Sequence, residues 1–216
     1  MSTADKREDD ELDIARTTFV KAIITLCREQ PGARQALRQA LRKAYDEIPM
    51  ATHKYVVQAG LPTDSLDNHH ERARAYYTVA ALIARIPARV PVTQPTRPRG
   101  ADAYRANLGA SLAEAVRIGT LNFKSAESAL AVLGKQSTNG IHLRLPGIIA
   151  RITDRPDALD WVQLLTDLET WSARRSSIAR RWQQSFYHSI NRADREAAAQ
   201  AADAEPSKTT DPAAEA

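Results

Sequence analysis

One cysteine, Cys27, stands in the 216 residues. A single thiol leaves no intrachain disulfide and no cysteine-rich zinc site. No apolar run approaches the roughly 18 residues of a membrane-spanning helix, and no charged-then-apolar leader opens the chain, so a soluble, cytoplasmic protein without a membrane partner is expected. Period-two alternation is also missing, which argues against a sheet. The chain has no glycine-rich phosphate loop, G-x-S-x-G elbow, kinase-type set or H-E-x-x-H pair. Its histidines, His53, His69, His70, His142 and His188, form no metal-ligand spacing, and adjacent His69 and His70 would point about 100° apart on a helix. Asp154, Asp157 and Asp160 surround Pro156 and read as loop and cap residues. No catalytic residue, metal or cofactor is expected.

What the chain does have is charge unevenly laid out. Lys and Arg minus Asp and Glu comes to −4 over residues 1–13, +11 over 14–196 and −3 over 197–216. A basic folded segment concentrates anions around it and binds polyanions non-specifically, which makes nucleic acid the leading partner class. An arginine excess of compositional origin, spread over a solvated surface, would look the same at this level.

Apolar residues recur at helical spacing almost throughout, so the fold expected is all-α. Helices are predicted over about 9–29 (Leu12, Phe19, Ile23 and Leu26 on one face), 33–48, 50–59 and 68–86. Pro87, Pro91, Pro95 and Pro98 then forbid helix, and residues 87–100 read as a Pro-rich connector between two small helical bundles, 9–86 and 101–194. Beyond it, helices are predicted over about 102–118, 125–133 and 143–153, the last with Pro146 in its first turn. Asp160 and Gln163 form a capping pair opening a further helix, and Ile178, Trp182, Phe186 and Ile190 mark the last one, about 176–193. Trp161, Trp171 and Trp182 are read as core, not as base-stacking platforms. Residues 1–8 and 195–216 read as disordered.

The basic residues form patterned groups. In GARQALRQALRKA (32–44), Arg34, Arg38 and Arg42 recur every four residues, about 40° apart on a helix, with Lys43 extending the stripe. Such a row suits an elongated polyanion. Arg174, Arg175, Arg180 and Arg181 gather around the turn between the last two helices, and one of the final pair is expected to lie over apolar surface beside Trp182.

With these residues in view, LDWVQLLTDLETW (159–171) and ARRWQQSFY (179–187) resemble the C-terminal signature of the CasB family, the small subunit of the type I-E CRISPR surveillance complex Cascade. GARQALRQALRKA is similar to that family's Arg-rich N-terminal helix, and NLGASL (107–112) to its Leu-Gly step. The order matches from about residue 14 to 192. One departure stands out. Where the family carries an acidic-Arg-Arg segment, this chain has Lys124-Ser125-Ala126-Glu127-Ser128, leaving Lys124 and Lys135 as the nearby basic substitutes.

The resemblance implies a non-catalytic helical subunit, two copies to a complex, lying beside the crRNA-binding backbone subunits and near the large subunit. There it would hold target DNA by backbone contacts and stabilise the R-loop while base pairing reads sequence. The family's basic surface would fall at Arg34, Arg38, Arg42, Lys135, Arg144, Arg174 and Arg175. Two rivals from other classes are disfavoured. A helical transcriptional regulator needs a basic helix-turn-helix, but the first dozen residues are acidic and Pro31 and Pro49 bracket one Arg-rich segment. A helical nuclease or phosphohydrolase needs a carboxylate or histidine cluster that the chain does not supply.

Overall fold

The computed structural model describes residues 3–62, 70–87, 89–90, 92, 107–152 and 159–204. Among these, the chain forms nine α-helices: α1 Thr3–Glu29, α2 Pro31–Arg38, α3 Met50–Gln58, α4 His70–Arg85, α5 Leu108–Arg117, α6 Phe123–Gly134, α7 Thr138–Ile149, α8 Trp161–Glu169 and α9 Trp171–Ala204. One 3-10 turn, Tyr45–Glu47, precedes α3. The all-α class expected from periodicity is the class observed.

α4 is the axis of the fold. From Ala73 to Ala84 every residue but Arg74 is buried, as befits a helix that is apolar all round. It packs against α1, α2 and α3 from the N-terminal half and against α7 and α8 from the C-terminal half. One continuous hydrophobic cluster results, running from Phe19 on α1, edge-on to Tyr76, through to Phe186 on α9. Trp161, Trp171 and Trp182 all lie at its centre with no exposed surface, and Trp171 stacks on Trp182 with ring centroids 5.2 Å apart. Burial also pushes the Cys27 thiol up to about 11, so it stays protonated and packs as a small apolar group.

Charge ties the layers together where apolar contact ends. Glu169, at the end of α8, accepts from Arg16 Nε on α1 and from Arg72 Nε on α4 at 2.9 Å, and its side chain is only 2% exposed. Asp167, two residues earlier, accepts from Trp182 Nε1 at 2.6 Å, Gln163 Nε2 at 2.9 Å and Arg181 Nη2. Burial raises the pKa of Asp167, and the Arg181 charge and these donors oppose that rise.

Local signals set most of the helix ends. Asp160 accepts from the Gln163 amide as the predicted cap does, at 2.9 Å, while Asn107, Asn122 and Ser137 cap α5, α6 and α7 in the same way. Several boundaries differ from expectation, the early end of α2 at Arg38 among them. α1 begins at Thr3 because no Gly or Pro interrupts it. α5 begins at Leu108, since Asn107 is extended (φ −134°, ψ 177°) and its side chain caps the first turn. α7 starts at its Ser137 cap, so Pro146 lies inside the helix and not in its first turn, and the bond its absent N–H would give the His142 carbonyl is lost. α9 runs on to Ala204, carried by an alanine-rich stretch and the Arg192–Glu196 pair at i,i+4. His69, Asp154, Asp157, most of the Pro-rich connector and residues 205–216 lie outside the described residues.

Candidate nucleic-acid interface

The Arg-rich segment does not form the single helix its periodicity suggests. α2 stops at Arg38, where the Ala36 carbonyl accepts both from the fully buried Thr52 hydroxyl at 2.7 Å and from the Gln39 amide at 3.1 Å, and no i,i+4 bond from Ala40 forms. The amides of Gln39, Ala40 and Leu41 bond instead three residues back, and the chain turns. Arg42 completes the turn at φ 62°, a left-handed conformation that an L-residue with a long side chain seldom adopts. The stripe is therefore split in two.

Arg34 and Arg38 serve the fold first. Their Nε groups both donate to the Ala84 carbonyl, at 3.0 and 2.9 Å, and Arg38 Nη2 reaches the Arg85 carbonyl at 3.3 Å. The last carbonyls of α4 have no intrahelical donor and carry the negative end of its dipole, so two guanidinium groups meet an electrostatic need there. Arg34 is half-buried by this role and Arg38 remains exposed.

Arg42 is turned instead toward α6 and α7, where it borders an open groove of about 680 Å³. One wall is α6, presenting Ser125, Ser128, Ala129 and Val132; the other is α7, presenting Leu143, Arg144 and Ile148, with Arg151 in the turn just past its end. Gly147 lies beneath Arg42, and a β-carbon there would stand 3.5 Å from Arg42 Nη2. Three guanidinium groups thus converge on one groove with no acidic residue lining it, and among the described residues none of the three is ion-paired. Ser125 and Ser128 belong to the segment that lacks the basic pair, and the charge facing them comes from α7 and Arg42.

Arg151 was not among the sequence candidates. It follows Arg144 by seven residues, which on the helix expected over about 143–153 returns to within about 20° of the same face, and that spacing is the signal that could have found it, although α7 itself ends at Ile149.

A second cleft, about 540 Å³, opens where α9 kinks at Arg174 (φ −123°, ψ 17°). Arg174 and Arg175 line it with Ser172, Ser176, Ser177 and the start of α7 at Ser137 and Thr138. Lys135, exposed at the C-terminal cap of α6, lies two residues before Ser137. Lys124, in the first turn of α6, and Arg180, on α9, are exposed but line neither cavity, and Lys43 is half-buried. Arg181 is different in kind: it pairs with buried Asp167 and belongs to the core lattice around Trp182. It is the member of the Arg180–Arg181 pair that turns inward.

The histidines that the structure describes follow the packed reading where they are buried. His142 is 1% exposed, its Nδ1 2.8 Å from the Thr78 hydroxyl, and burial, reinforced by the Arg74 charge, pushes it down to about 3. His53 Nδ1 is 2.7 Å from the Tyr77 hydroxyl. No helix among the described residues is long and apolar enough to cross a membrane.

Known proteins with this architecture carry the same kind of name. A chain from a structure titled "CRISPR RNA-guided surveillance complex, pre-nicking" is 31% identical, with 86% of this chain and 98% of that one aligned at a TM-score of 0.72. A chain titled "CRISPR RNA-guided surveillance complex" is 29% identical, covering 86% and 99%, at a TM-score of 0.73. CasB of M. ruber, at 20% identity, shares the fold over 84% and 97% of the two chains, with a TM-score of 0.65. No curated protein sequence matches. The family model of CRISPR-associated protein Cse2 matches residues 33–187, from the first turn of α2 through the Trp182–Tyr187 segment of α9, and the chain belongs to that family.

Proposed function

We propose that this protein is the small subunit of an RNA-guided CRISPR surveillance complex of the type I-E Cascade kind, and that it grips nucleic-acid backbone without reading sequence. The observation that carries this reading is the convergence of Arg42, Arg144 and Arg151 on one acid-free groove. Guanidinium groups pair with phosphate oxygens in bidentate fashion, and such contacts fix position without sequence information. Arg38, Lys135, Arg174 and Arg175 extend the basic surface. Its role is to hold target DNA opened by crRNA. Exchange of a DNA duplex for an RNA–DNA hybrid is nearly balanced, so backbone contacts worth a few kcal/mol shift the population of the open R-loop. The chain contributes no chemical step. Its protein partners are the backbone and large subunits and a second copy of itself.

Affinity purification of the tagged full chain from its native host tests the assignment. Co-purification of crRNA and a multi-subunit assembly is expected, and recovery of the chain without either overturns it.

A further inference from the structure

The groove bordered by Arg42 is not uniformly polar. Val132 on α6 and Leu143 on α7 both line it and are 46% and 40% exposed, unusual for large aliphatic side chains in a fold that buries most of the others. A site for phosphate alone has no use for such walls. A duplex, whose bases are stacked inward, would lay only sugar and phosphate against them. A single strand differs, because each base can rotate out of the stack and offer its apolar face.

From this juxtaposition we infer that the groove takes one whole nucleotide of a single strand, its base between Val132 and Leu143 and its phosphates on Arg42, Arg144 and Arg151. The volume, about 680 Å³, falls within the range of about 300–1,000 Å³ typical of pockets that enclose small-molecule-sized groups. Ser125 and Ser128 supply hydroxyls that can donate to or accept from any base edge, so the seat is tolerant of sequence. Gly147 keeps the space beneath Arg42 free of a side chain. The inference rests on the groove being the nucleic-acid site proposed above, and it adds that single strands are preferred and that the base itself contributes.

Binding of the purified full chain to a fluorescent thymidine oligonucleotide, an abasic oligonucleotide of equal length and a duplex, each across a salt series, tests this. The thymidine strand is expected to bind about 5-fold more tightly than the abasic strand, at the lower end of base-stacking contributions because the walls are aliphatic. Val132→Ser with Leu143→Ser, both at exposed positions, should bring the thymidine strand down to the abasic level and leave the salt slope unchanged. Arg144→Gln with Arg151→Gln should weaken both strands and flatten the slope. Equal affinity for thymidine and abasic strands, or tighter binding of the duplex, overturns the base seat while leaving a backbone groove intact. Failure of the arginine substitutions to alter binding of any probe overturns the groove as a nucleic-acid site, and the base seat with it.

Discussion

Gly109 lies against the backbone of Trp182 so closely that a β-carbon on it would stand 1.8 Å from the Trp182 carbonyl oxygen. This contact lets α5 pack directly on α9, and the obstacle is main chain, which cannot swing aside. Gly109→Ala should therefore cost about 3 kcal/mol, the upper part of the usual overpacking range. A shifted urea midpoint would show it, and an unchanged midpoint would mean that the two helices can separate freely.

The Asp167 lattice gives a second test. Asp167→Ala removes the acceptor for Trp182 Nε1, Gln163 Nε2 and Arg181 at once and should destabilise the fold by about 3 to 5 kcal/mol, as breaking a buried pair does. Trp182→Ala should fall in the same range for loss of core volume. Arg181→Ala should likewise lower stability, yet the fraction that remains folded should bind nucleic acid normally. Weakened binding by a fully stable Arg181→Ala protein would return this residue to the interface.

Arg34 and Arg38 should report on folding as well as on binding. Each donates to the end of α4, and Arg38→Ala should cost about 1.5 kcal/mol in chemical denaturation, the lower end for a hydrogen bond to a charged group. Arg42→Gly should show the opposite balance: stability equal or slightly higher, because glycine accepts the left-handed φ without strain, with weaker nucleic-acid binding.

Acid sensitivity should trace in part to His142. Its folded pKa of about 3 lies below the ordinary value of 6.5, so between these limits the unfolded chain takes up a proton that the folded chain refuses. Stability must then fall as pH drops from about 6.5 toward 3, by about 2 kcal/mol at pH 5 from this residue. In His142→Asn, which cannot titrate, stability measured by denaturant between pH 6.5 and 4 should decline less steeply. An identical slope would show that other groups account for the acid limb.

The Asp160 cap and the burial of Trp161, Trp171 and Trp182 were legible because capping and helical periodicity are local properties. The fate of Arg34 and Arg38 was not, since the carbonyl they share lies 50 and 46 residues away and bears no side-chain signature. Nor was the break before Arg42, where the Ala36 carbonyl takes a tertiary bond from Thr52, 16 residues on. GARQALRQALRKA still reads as one unbroken helix. The sequence marks Arg42 and Arg144 as basic, but only the folding of α6 beside α7 brings them to one groove with Arg151.

Target-DNA affinity of the reconstituted complex against salt concentration, with Arg42→Gln, Arg144→Gln and Arg151→Gln combined in this subunit, tests the central claim most directly. If the groove holds about three phosphates, the complex should bind more weakly and the slope of log affinity against log salt should become shallower by about 2 to 3. A folded, fully assembled complex with unchanged affinity and unchanged slope would contradict it.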